Sequence, residues 1–148
     1  MWSGAVRGAA PLEKRGRVEI LIVEADADLA GVWAAFLLRE GVCSTLATSA
    51  AEAYAALRSG SYGAVLLDME LPAGAAIEVA DFATYRDPGV PIIAVTADGF
   101  FSDSAIFELI PNARALLRAP LKLEDMVALV EHYGGRHLTE QRARASGA

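Results

Sequence analysis

Apolar residues along this chain fall into two kinds of run, and the two kinds alternate. Val18–Val23, Val42–Ala47, Ala64–Leu67, Pro91–Val95 and Ala113–Leu117 are short, and the first and third are almost unbroken. Runs of that length suit strands buried on both faces of a parallel sheet. Between them the apolar positions recur at helical spacing. Leu29, Val32, Trp33, Phe36 and Leu37 form the stripe of an amphipathic helix. Asp26 and Asp28 sit at its start, where the helix dipole favours negative charge, and Gly41 stops it. Ser49-Ala-Ala-Glu52 has capping-box spacing and opens an alanine-rich helix that runs to Arg58. Further helices are predicted over Ala75–Tyr85, ended by Asp87-Pro88-Gly89, and over Phe101–Ile110, ended by Pro111-Asn112. Leu123, Met126, Val127 and Val130 mark the last stripe, which Gly134-Gly135 is expected to end. Five strands alternating with five helices predict a three-layer α/β sandwich with right-handed crossovers.

Composition narrows the class. A chain of 148 residues fits one domain, and 54% hydrophobic against 22% charged residues excludes a disordered one. No apolar run approaches the length needed to span a membrane, and the charged N-terminus lacks the apolar core of a secretory signal. Cys43 is the sole cysteine, so there is no internal disulfide framework, and a cytoplasmic location is expected. Cys43 reads as a small buried hydrophobe, and Trp33 and Phe36 read as core. His132 and His137 are the only histidines, too few for a zinc site, and both read as solvated.

Charge is unevenly spread within the net −6. Arg7, Lys14, Arg15 and Arg17 oppose a single Glu13 before residue 18, and Arg136, Arg142 and Arg144 oppose Glu140 near the other end. The acidic excess therefore lies between them, which argues against a nucleic-acid partner. The expected organisation is a basic tail over 1–17, one folded domain over 18–133 and a flexible tail over 134–148.

Open parallel sheets place their sites at the carboxyl ends of the strands. The polar residues expected there are Glu24 and Asp26 after the first strand, Asp68 after the third and Thr96 after the fourth. Paired carboxylates suit a magnesium ion, a hydroxyl can bind a phosphoryl oxygen, and an aspartate can act as a nucleophile that forms an acyl phosphate.

Four segments carry a resemblance: Ile-Leu-Ile-Val-Glu24-Ala25-Asp26, Val-Leu-Leu-Asp68-Met-Glu-Leu-Pro72, Pro91-Ile-Ile-Ala-Val-Thr96-Ala97 and Leu-Leu-Arg-Ala119-Pro120-Leu. In order and spacing they resemble the receiver domain of bacterial two-component response regulators, over about residues 18–133. The resemblance implies a CheY-like, flavodoxin-like doubly wound sheet of order 2-1-3-4-5. It also implies a cis peptide between Ala119 and Pro120. Its function is phosphorelay signalling, in which a sensor histidine kinase donates a phosphoryl group to an aspartate. The resemblance puts that phosphoacceptor on Asp68 and the switch hydroxyl on Thr96, with magnesium held by Glu24, Asp68 and the backbone carbonyl of Glu70. No enzymatic activity is implied beyond self-phosphorylation at Asp68.

Three departures weaken that site. Ala25 stands where the family has a metal-ligating acid, Ala119 where it has a lysine, and Leu116 where it has an aromatic switch residue. Arg118 should point to the opposite face of its strand from Ala119. Without a fixed cation, Glu24, Asp26 and Asp68 repel one another; at roughly 4 Å and an effective dielectric near 20, each close pair costs about 4 kcal/mol before relaxation. Magnesium binding is therefore expected to be weak. Two functions follow: a phosphoacceptor domain with a degenerate site, or a pseudo-receiver that binds proteins without phosphorylation. The partner is a sensor histidine kinase or another signalling protein. Phe100, Phe101, Phe107, Leu109 and Ile110 exceed what one buried stripe takes, so the face of the fourth helix, fifth strand and fifth helix is expected to meet another chain, a second copy being one candidate.

Overall fold

The computed structural model describes residues 18–97 and 102–147. The predicted basic tail over 1–17 and the residues Phe100 and Phe101 lie outside that range. Strands β1 (Glu19–Val23), β2 (Cys43–Ala47), β3 (Ala64–Asp68), β4 (Ile92–Ala97) and β5 (Ala113–Ala119) alternate with helices α1 (Ala27–Arg39), α2 (Ala50–Ser59), α3 (Ala75–Arg86), α4 (Asp103–Leu109) and α5 (Leu123–Gly147). A short 3-10 turn, Pro72–Gly74, leads into α3. The strands form one parallel sheet in the order β2-β1-β3-β4-β5.

Side-chain alternation divides the core into two layers. Ile20, Ile22, Leu66, Ile93 and Val95 face α1 and α5, whereas Leu21, Val23, Val65, Leu67 and Ile92 face α2, α3 and α4. Each fully buried leucine or isoleucine contributes about 1.5–3 kcal/mol relative to exposure. Between Ile92 and Ile93 the register of β5 slips by one residue at Arg114, and pairing then continues to Ala97↔Ala119. The Ala119–Pro120 bond is cis.

Local chemistry sets the helix ends. Asp26 caps α1 by accepting the Leu29 N–H at 3.1 Å. Past its other end Gly41 takes φ 86°, a left-handed turn that glycine adopts at no steric cost. Ser49 caps α2, and Glu52 reaches back to the Thr48 N–H at 2.6 Å.

Helix α1 is rotated from the predicted stripe. Ala30, Trp33, Ala34 and Leu37 are buried, while Leu29 and Val32 are exposed and Phe36 is half-buried. Two alanines let the helix approach the sheet closely on that side, so bulk alone did not mark the inner face. Cys43 is half-buried rather than core.

Helix α5 corrects the reading of 134–148 as a flexible tail. It continues through Gly134-Gly135 to Gly147, and its buried stripe runs Met126, Val127, Val130, Gly134, His137. The glycine serves a crossing, not a terminus. A methyl group on Gly63 would stand 2.9 Å from the Gly134 carbonyl oxygen, and one on Gly134 would stand 2.8 Å from Val18 Cγ1. Beyond the crossing, His137 is 2% exposed rather than solvated. Its Nε2 lies 2.6 Å from Asp87 Oδ2, and Gln141 Nε2 donates to the same oxygen at 3.1 Å. These bonds fasten α5 to the turn between α3 and β4. His132, by contrast, is exposed, as expected.

Candidate functional site

The carboxyl ends of β1, β3 and β4 lie side by side because Val23 pairs with Leu67 and Asp68 pairs with Val95. The Met69 N–H extends the second pairing by donating to the Val95 carbonyl at 2.8 Å. Glu24, Asp68 and Thr96, distant in sequence, therefore stand at one edge of the sheet.

Glu24 is held from both sides. Its N–H donates to the Ala47 carbonyl at 3.0 Å, and its Oε2 accepts the Asp26 N–H at 3.0 Å. The side chain is buried, and burial lifts its carboxyl to about 7. The hydrogen bond from the Asp26 amide opposes that rise. Asp68 adds to it by charge and by a side-chain hydrogen bond, and the Asp26 charge adds a little more. Burial thus favours the neutral form of the Glu24 carboxyl beside Asp68.

Asp68 is half-buried at the end of β3, and its Oδ1 accepts the Glu70 N–H at 2.9 Å. Thr96 is 1% exposed at the end of β4. Its Oγ1 lies 3.4 Å from both Glu70 Oε2 and the Ala97 carbonyl. The Glu70 side chain also accepts the Ala97 N–H in a short contact. Sequence reasoning assigned Glu70 only its backbone carbonyl. Its side chain crosses to the neighbouring strand, a contact that no spacing within the third segment announces.

Two of the potential substitutes for the missing groups are engaged elsewhere. Asp26 caps α1. Arg118 forms an ion pair with Asp103 at the start of α4. Ala25, Ala119 and Lys122 are exposed. For a magnesium ion the donor chemistry is right, since all the groups are oxygen. The set is nevertheless one carboxylate short at Ala25. Among the described residues no group of three His, Cys, Asp or Glu side chains is arranged to hold a metal.

Residues 20–131 match the family described as response regulator receiver domain. The chain belongs to that family. It is a receiver domain of two-component signalling, a class of module that is generally not enzymatic and that works through sensor histidine kinases and effector domains. Solved structures agree. A CheY-like receiver from Methanospirillum hungatei is 26% identical, with TM-score 0.74 over 84% of this chain and 98% of its own. The receiver domain of a sensor histidine kinase from Pseudomonas aeruginosa is 25% identical, with TM-score 0.70 over 80% of this chain and 98% of its own, and carries a magnesium ion in its active-site cleft. The signal receiver domain of a LuxO repressor protein from Vibrio parahaemolyticus, at 22% identity and TM-score 0.75 over 86% of this chain and 97% of its own, shares the fold. No curated protein matches. No described helix of the receiver domain is long and apolar enough to cross a membrane.

Proposed function

We propose that this receiver domain is a pseudo-receiver: it binds a signalling protein, and its conformation is not set by phosphorylation of Asp68. The observation that carries the reading is the strand-end edge where Glu24 and Asp68 stand together while Ala25 and Ala119 offer neither a metal ligand nor a cation. Phosphoryl transfer depends on positioning and on neutralising charge. Here the nucleophile is present and the neutralising groups are absent, so magnesium binds weakly and phosphate is taken up slowly. The second reading, a working phosphoacceptor, is favoured by Asp68 and Thr96 standing at adjacent strand ends.

Incubating the protein with acetyl phosphate and magnesium and then recording its intact mass tests the choice. The expected result is no phosphate adduct above the Asp68→Asn blank. Rapid, magnesium-dependent labelling of the parent would establish the phosphoacceptor reading instead.

The partner surface we propose is the face of α4, β5 and α5. Phe107 and Leu109 are 43% and 46% exposed there, while Ile110, predicted as part of the patch, belongs to the core at 1%. A second copy meeting this face would give a mass in solution that rises with concentration. Phe107→Glu should hold the protein monomeric; an unchanged concentration dependence would remove α4 from the interface.

A further inference from the structure

We propose that the Glu70 carboxylate is an internal substitute for a phosphoryl group, seated on the two donors at the end of β4 that an anion on Asp68 would need. This deepens the pseudo-receiver reading and rests on it for the claim that Asp68 stays unmodified.

The two donors are consecutive. The Ala97 N–H donates to Glu70 Oε2, and the Thr96 hydroxyl lies 3.4 Å from the same oxygen. Thr96 is almost fully buried, so its hydroxyl has no bulk water to turn to. Its other close acceptor is the Ala97 carbonyl, also at 3.4 Å. A carboxylate oxygen and a phosphoryl oxygen are the same kind of partner for such a pair: an anionic acceptor facing an amide and a hydroxyl. Glu70 reaches them because it follows Asp68 by two residues and is anchored to it, its own N–H donating to Asp68 Oδ1 at 2.9 Å. The carboxylate that meets the donors is thus tethered to the side chain beside it.

Two consequences follow. The end of β4 is held by an anion whether or not Asp68 carries phosphate. An incoming phosphoryl group also has to displace a tethered carboxylate and bear its charge nearby. The device explains how a receiver without its cation keeps an ordered switch position: the negative charge that Thr96 and Ala97 face is supplied by the chain.

The test uses the full chain labelled with nitrogen-15. The Ala97 amide is expected at low field in the parent, shifted upfield in Glu70→Ala and intermediate in Glu70→Gln, which keeps an acceptor but no charge. A second arm places Glu70→Ala in a protein that also carries Ala25→Asp and Ala119→Lys, with acetyl phosphate and magnesium. Asp68 should then be labelled about tenfold faster than in the same protein with Glu70 intact, the gain expected from removing a competing charge-assisted hydrogen bond. The proposal requires both results. An Ala97 amide that stays in place in both variants overturns it, as does a labelling rate that Glu70→Ala leaves equal or lower. Fast labelling of the parent would sink the pseudo-receiver reading alone, because the Ala97 amide still reports on Glu70.

Discussion

Restoring Ala25→Asp and Ala119→Lys together is expected to turn the protein into an acceptor of phosphate from acetyl phosphate. The gain over the parent should be on the order of a hundredfold or more, the size of effect that a single preorganised charge-stabilising group has at a reaction centre. In the step, an Asp68 oxygen attacks phosphorus, the bond to the acetate oxygen breaks, and acetate leaves with that electron pair. Negative charge accumulates beside three further carboxyl groups, Glu24, Asp26 and Glu70. An acid at position 25 completes an oxygen set suited to a hard cation. A lysine at 119 sits at the end of β5, next to Ala97 through the pairing of those two residues. The two changes act on one centre, so each alone should give far less than the pair. Intact mass against time, with Asp68→Asn added as the blank, reads the result. A folded double variant that takes up no more phosphate than the parent would show that Ala25 and Ala119 are not what silences Asp68.

Stability should fall as pH rises through neutrality, and Glu24→Gln should abolish much of that fall. The Glu24 carboxyl is raised from 4.5 to about 7, mainly by burial. The folded state therefore holds a proton that the unfolded chain gives up near pH 4.5. Below that pH both states are protonated and the group costs nothing. Between 4.5 and about 7 the loss grows with pH, and above that it levels off. Glutamine has nearly the same shape and keeps an oxygen for the Asp26 amide, so it leaves the fold in place and removes the titration. Urea midpoints measured with a chelator present should match for parent and variant near pH 4 and favour the variant at pH 8. Equal midpoints at both pH values would mean that Glu24 carries no such strain.

What the amino-acid pattern disclosed, and what it hid, follows from the range of the forces involved. The strands were legible because a doubly covered sheet demands apolar residues in short runs, as in Ile20–Val23 and Val65–Leu67. The alignment of Asp68 with Thr96 was legible because parallel order fixes which strand ends are neighbours. The inner face of α1 was misjudged because Ala30 and Ala34 face the sheet, and alanine carries little hydrophobic signal. Gly134-Gly135 read as a stop because glycine usually ends helices. That the glycine instead admits the backbone at Gly63 is a contact across the fold. The same spacing of three and four residues does continue through Val130, Gly134, His137 and Gln141. Following position rather than polarity would have extended the helix. The Glu70 side chain was hidden for a different reason: its partners belong to another strand.

The length of α5 gives the domain a mechanical property. At 1.5 Å per residue its 25 residues extend ~37 Å. Its first half lies on β1, β3 and β5, and its second half is tied to Asp87 beyond the crossing at Gly63. Such a rod is a lever with its fulcrum at two glycines, where no side chain cushions one backbone from the other. A load on the exposed turn at Arg142–Ser146 would tilt Met126 and Val127 against the sheet. Displacement could then travel from one end of the domain to the other through a single element, with no bond made or broken at Asp68.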